Sequence, residues 1–489
     1  MKIPLKSELF LDRNYQEIYY FFEKISEIPR ESGHEREISE YLAQFAKERD
    51  LDWIRDEYFN VLIRKPGSPG WEMEPPVLLE CHSDMVCVKK EGVSHDFRKD
   101  PIRLIRESSE ILRADGTSLG ADNGCGMAIC LAVLAREDLC HPPLECLFAA
   151  QEETGLVGVS HFDVSKIQAR RVIGLDAGSD GVFCKGTTTK HRLTIEKQVQ
   201  WEMKSEPGWV FKVEGLRGGY PALCLPMERA SAVTIAGELL CELARSCDVR
   251  LGEVRAASRG IPETCFCEFC TAMEEDDLRS FLHRAEKRLR VEYGEVEAEL
   301  NLILKRTDCH GVMGKEDSLA VASLLALLPF GVFGRNLDRM DLIHAFALCK
   351  EVNLCPGENG KFSLAVSTDT SEKYERILGN IKTVLELLGA EIVEDFVETG
   401  WDVFRQSPIR DVMCAAFQTL YGKEPYIKIS HGGNDCVELY KRIPGMDIVT
   451  TAADYINFHT PDEYLVLETF EREYELVIKT LELLCKKGM

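Results

Sequence analysis

Six residues have side chains suited to binding divalent cations or moving protons: His82, Asp122, Glu152, Glu153, Asp176 and His459. Each lies at or near the end of a strand-like run or the start of a helical one. His82 and Asp84 stand two apart in "PPVLLECHSDMV" (75–86), so on an extended chain they leave the same face. That spacing suits a metal-bound imidazole whose ring is oriented by a carboxylate. Asp122 sits in the glycine-rich "GADNGCG" before an apolar helical stretch. Glu152 and Glu153 close the apolar run "LECLFAAQEE". Adjacent carboxylates repel unless solvated or bound to cations, and they can divide the work, one on a metal and the other as general base. Asp176 ends "VIGLDAGSDG". His459 precedes "TPDE", where Thr460 and Glu463 form a capping box with Pro461 at the first helical position. Alone, each has an ordinary explanation: a satisfied histidine, a helix N-cap, a solvated turn. Together, two histidines, two terminal carboxylates and one shared aspartate are what a pair of zinc-type ions about 3.5–4 Å apart requires.

The elements that must position these residues fall into three stretches. Over 1–188, helical and strand-like runs alternate, the rhythm of an α/β domain with a mostly parallel, mixed sheet flanked by helices. Parallel sheets open their ligand crevice at the carboxyl ends of the strands, where the six residues lie. Over 189–398 the rhythm becomes α+β and repeats loosely, which predicts an inserted lid domain built from two tandem ferredoxin-like units. Over 399–489 the α/β style returns, so the outer stretches are expected to form one catalytic domain in two parts.

The bulk numbers exclude several classes. With 59 basic and 82 acidic residues among 489, the net charge is −23, which argues against nucleic acid or an anionic membrane as partner. The longest apolar run (318–334) is broken by Pro329 and predicts a buried helix. The 19 cysteines lack a repeated knuckle spacing and suit reduced thiols in a cytoplasmic protein; "CFCEFC" (265–270) alternates like a strand. The N-terminus shows no signal-peptide pattern.

Taken in order, "HSDMV", "GADNGCGMA", "QEETG", "LDAG" and "HTPDE" resemble the aminoacyl-histidine (Xaa-His) dipeptidases, of bacterial peptidase D type, in the co-catalytic zinc aminoacylase/carboxypeptidase group. "GKEPYIKISHGGNDCVELYKRIPGMDIVT" is similar to that family's C-terminal region, so the likeness spans nearly the whole chain. The resemblance implies two divalent ions, zinc first, with manganese or cobalt suited to similar ligands. His82 and Asp176 would hold one ion, Glu153 and His459 the other, and Asp122 both. Glu152 would be general base and then acid as a bridging hydroxide attacks a small peptide, and Asp84 would orient His82. A homodimer is the assembly to test for. The lid departs from the family pattern. Tyr220 in "GGYPA" stands where relatives carry histidine, and Arg259 in "SRGIP" replaces an asparagine. "HGGNDCV" keeps His431 but introduces Asn434 and Asp435. Tyr220, Arg259 and His431 are the candidate substrate contacts, with Arg259 placed either to clamp a substrate carboxylate or to sit in solvent. Two alternatives stay open: an aminoacylase or carboxypeptidase-like hydrolase of another amide, and a catalytically silent metal-binding scaffold.

Overall fold

The computed structural model describes residues 8–336, 342–401 and 406–485. The first seven residues, part of the stretch searched for a leader, and Asp341, at the start of the strand expected around 341–350, lie outside them. The chain divides into two compact units, Met1–Thr187 with Trp401–Met489, and Thr188–Gly400.

In the first unit, strand-forming runs become β1 (Asp52–Arg55), β2 (Val61–Lys65), β3 (Val77–His82), β4 (Leu144–Ala149), β5 (Arg171–Gly174), β6 (Val182–Thr187), β7 (Tyr426–Ser430) and β8 (Asp447–Thr450). They pair in the order β1-β2-β4-β3-β5-β8-β6-β7, with the short strand Gly178–Ser179 on β6. The central block β4-β3-β5-β8 is parallel throughout. The β1–β2 and β2–β4 pairs are antiparallel, which makes the sheet mixed.

Both faces of this sheet are covered, so β3 and β4 are buried at every position, as strands inside a parallel sheet require. Val77, Leu79 and Cys81 join one core with helices α1 (Gln16–Ser26), α2 (Ala121–Ala135), α3 (Pro408–Tyr421) and α4 (Leu467–Leu484). Leu78 faces a second core with Leu147, Val172 and Ile448. By alternation Glu80 and His82 leave β3 on that second face. Helix α2 is apolar all round and buried along nearly its whole length, which makes it a rigid support for whatever its N-terminus carries.

The second unit carries a continuous antiparallel sheet that contains both expected ferredoxin-like units. One runs strand Glu206–Glu214, helix Ala232–Ser246, strands Val249–Ala257 and Cys265–Thr271, helix Glu275–Tyr293, strand Asn301–Cys309. Its strands lie in the order fourth, first, third, second. The other uses Thr189–Lys197 as its first strand. Helix Lys315–Leu327, strands Ile343–Leu354 and Gly360–Thr368, helix Ser371–Leu388 and strand Ala390–Glu398 follow. The two are thus nested, not in tandem: the first is inserted between the first strand and first helix of the second. Thr189–Lys197 alternates in burial only over its second half, which hides it from a reading of periodicity. The two units join where Val249–Ala257 pairs with Ile343–Leu354. "CFCEFC" is the expected strand, alternating in burial. The run at 318–334 supplies the expected helix, which ends at Leu327. Among the described residues no helix is long and apolar enough to cross a membrane.

Candidate metal centre

Five side chains from five separate segments meet at the carboxyl end of the parallel block. His82 ends β3, and its Nε2 stands 3.1 Å from Asp122 Oδ1 and 3.5 Å from Asp176 Oδ1. His459 Nε2 stands 2.6 Å from Glu153 Oε1 and 3.4 Å from Asp122 Oδ2. The two oxygens of Asp122 therefore face different imidazoles. Ligand atoms of His82, Asp122 and Glu153 all lie within 4.8 Å of one another.

Local backbone explains how the chain presents them. Asp122 sits at the start of α2 with non-helical angles (φ −81°, ψ 106°), and its peptide bond to Asn123 is cis. Asn123 Nδ2 donates to the Leu175 carbonyl (2.7 Å) and to Asp176 Oδ1 (3.1 Å), tying the Asp176 turn to the same helix start. Asp84 does more than face His82. Its Oδ1 accepts from the Glu152 amide (3.0 Å) and its Oδ2 from the Glu153 amide (3.2 Å) and the Ser32 hydroxyl (2.7 Å). It is fully buried. Its separation from His82 Nδ1, 3.4 Å, is an ion-pair distance, not a directed hydrogen bond, and that nitrogen has no hydrogen-bond partner among the described residues.

The electrostatics are those of a site short of positive charge. Burial pulls the His82 imidazole down, but Asp122, Asp176 and Asp84 outweigh it and hold it well above its ordinary value. His459 follows the same logic: burial lowers it, and Asp122 and Glu153 raise it to about 10. Asp176 is pushed up to about 6, chiefly by burial. Glu152 is raised well above the ordinary carboxylate range, first by burial and then by the neighbouring Asp176. Asp122, Asp176 and Glu153 have side chains only 11 %, 10 % and 9 % exposed. Anions so enclosed need cations beside them. Two imidazoles and three carboxylates suit divalent ions of the zinc, manganese or cobalt type, so the residues present fit such ions.

Tyr220 and Arg259 are together in the second unit, lining a cavity of about 520 Å³ with Ser258 and Glu263. His431 follows β7 in the first unit and is 6 % exposed. The capping box expected at Thr460–Glu463 is not formed. The segment is a turn, and α4 begins only at Leu467. Glu463 instead turns away from its own backbone and accepts from the amides of Leu119 (2.7 Å), Gly120 (2.9 Å) and Ala121 (2.8 Å) at the start of α2. Residue-by-residue reading also passed over Arg30, Ser32, Glu35 and Asn123. Arg30 is 3 % exposed and donates to the carbonyls of Asp84 (2.7 Å) and Gly120. Glu35 accepts from the Gln151 amide (3.2 Å). The available signal was charge in the short "PRESGHE" segment, which a surface loop would carry equally well.

A mixed, largely parallel sheet with a cation-demanding cluster at its strand ends, joined to an antiparallel α+β unit, is an architecture of co-catalytic peptidases. Residues 78–483 match Peptidase family M20/M25/M40, and the chain belongs to that family. It is 30 % identical over 474 residues to the cytosol non-specific dipeptidase of Escherichia coli (strain K12), an alignment covering 96 % of this chain and 97 % of the relative. It is similar to the crystal structure of aminoacylhistidine dipeptidase from Vibrio alginolyticus, with a TM-score of 0.83, 27 % identity and 97 % and 98 % of the two chains covered. The fold also recurs in aminopeptidase PepT from Bacillus cereus, with a TM-score of 0.58 at 17 % identity and 97 % and 99 % coverage.

Proposed function

We propose that the protein is a cytoplasmic dipeptidase that hydrolyses small peptides at a two-metal centre. His82 and Asp176 hold one ion, Glu153 and His459 the other, and Asp122 both. The observation that carries this reading is Asp122, whose Oδ1 and Oδ2 stand 3.1 Å and 3.4 Å from two different imidazoles. Dipeptides are favoured as substrates because the relatives matched over nearly their whole length are dipeptidases. Zinc is the first candidate metal, with manganese or cobalt next. Bound divalent ions supply Lewis acidity and lower the pKa of water towards neutrality.

The chain's own residues do the rest. Glu152 takes the proton of the attacking water and returns it to the leaving amine. In the metal-free site, burial and then the neighbouring Asp176 carboxylate favour its protonated form. Asp84 holds the Glu152 and Glu153 amides, so base and ligand are aimed by one buried carboxylate. The unit Thr188–Gly400 serves as the lid, where the Tyr220 hydroxyl donates to substrate and the Arg259 guanidinium receives its carboxylate.

The test is a panel of dipeptides and acyl-amino acids on metal-loaded protein, with and without chelator. Dipeptide turnover that chelator abolishes is expected, with two ions per chain and a Glu152→Gln variant that binds both ions yet turns over about 10²–10⁴-fold more slowly. Turnover of acyl-amino acids alone would overturn the substrate class. Two bound ions with no turnover of any amide would overturn catalysis.

A further inference from the structure

Glu463 and Arg30 grip the same peptide from opposite sides. Glu463 is 2 % exposed and Arg30 3 % exposed. The Glu463 carboxylate accepts from Leu119, Gly120 and Ala121, and more distantly from the Asp122 amide at 3.4 Å. The guanidinium donates to the Gly120 carbonyl and to the Asp84 carbonyl. Gly120 thus has its N–H on a buried anion and its C=O on a buried cation. The space allows nothing larger. Gly120 has φ +71°, and a Cβ there would lie 2.5 Å from Arg30 Nη2 and 2.8 Å from Met85 Sδ.

From these contacts we infer that Glu463, seconded by Arg30, is a positioning residue for the ion shared by Asp122, Glu153 and His459. Two further facts select that ion. Glu463 lies four residues beyond His459 in the same loop, so its three amide bonds lock the His459 loop onto the backbone that carries Asp122. His82 takes its place from β3 and Asp176 from the turn that Asn123 ties to that helix start, whereas His459 sits in the loop that Glu463 anchors. Desolvating a carboxylate is costly, and the three amide bonds offset that cost only while the His459 loop and the start of α2 keep this register. The inference rests on the two-metal reading above.

The test uses the full-length, chelator-stripped protein titrated with Co²⁺, followed by its visible spectrum and by calorimetry. Glu463→Gln keeps the shape but sets an amide group against the N–H donors. Asp462→Asn, next to it and ion-paired at the surface with Lys90, is the control. Wild type and Asp462→Asn are expected to bind two equivalents. Glu463→Gln should keep the first equivalent within about threefold and bind the second about 10–100-fold more weakly. Its kcat should recover as Co²⁺ is raised, with KM unchanged. Glu463→Asp, one methylene short, should lie between; if Glu463→Gln does not fold, this variant decides. Unchanged affinity for the second equivalent in the Glu463 variants, or equal weakening in Asp462→Asn, would overturn the role given to Glu463. Fewer than two equivalents on the wild-type protein would overturn the two-metal reading itself.

Discussion

At the scale of single residues, Asp122 separates a bridging site from two independent ones. If its two oxygens serve two ions, Asp122→Asn leaves one poor oxygen ligand and weakens both ions together. Replacing Asp176 should weaken one ion far more than the other, and calorimetric titration distinguishes these outcomes. The buried acids give a second prediction. Asp176 is held up at about 6 and Glu80 and Glu35 at about 7, burial being the first cause in each case. A carboxyl whose folded pKa exceeds its unfolded value contributes stability at low pH that is lost as pH rises through the folded value. The raised His82 and His459 act in the same direction. Asp122 and Asp84 are lowered and act oppositely, but only below about pH 4. The chelator-stripped protein should therefore have a lower Tm at about pH 7.5 than at about pH 5.5, and metal should raise Tm more at the higher pH. Differential scanning calorimetry at the two pH values checks both signs.

At the scale of elements, the site depends on α2 lying against β3 and the residue that follows β5 with no space to spare. A Cβ on Gly126 would lie 2.0 Å from Asn123 Oδ1, 2.9 Å from Cys81 Cβ and 3.0 Å from Leu175 Cβ. Gly126→Ala should therefore destabilise the protein by about 1–3 kcal/mol through overpacking. It should also lower metal affinity, because Asn123 can no longer hold Asp176; urea unfolding and metal titration read the two effects. Much of this level was legible in advance. His82, Glu153 and Asp176 close apolar runs and Asp122 precedes one, and the fold brings them together with His459, whose turn carries no such signal. Glu463 was not legible: "TPDE" satisfies a local capping rule, while the amides it actually holds lie 341–344 positions away. Arg30 and Ser32 were missed for the same reason. Their partners are backbone groups and a carboxylate brought near only by folding, and local periodicity carries no trace of them.

At the scale of the whole molecule, the α/β-to-α+β change of rhythm was visible because strand and helix patterning differ between the stretches. The nesting was not, since sequence order alone makes two βαββαβ runs look consecutive. The second unit begins and ends on neighbouring strands: Lys190 pairs with Glu398, and the Gly400 amide donates to Thr189 Oγ1 at 3.2 Å. Its two ends therefore need no long connection, and residues 188–400 expressed alone should unfold cooperatively, as followed by circular dichroism. The nested half has the same property. Trp201 pairs with Met313, and Lys197 and the Gln200 amide both meet Asp317, at 3.0 Å and 2.8 Å. One in-frame deletion between those neighbours would remove a complete ferredoxin-like half and leave the other with all four of its strands. A gene could gain or shed that half in one event, so lineages of this fold can differ by a whole module without any intermediate that lacks a four-stranded sheet.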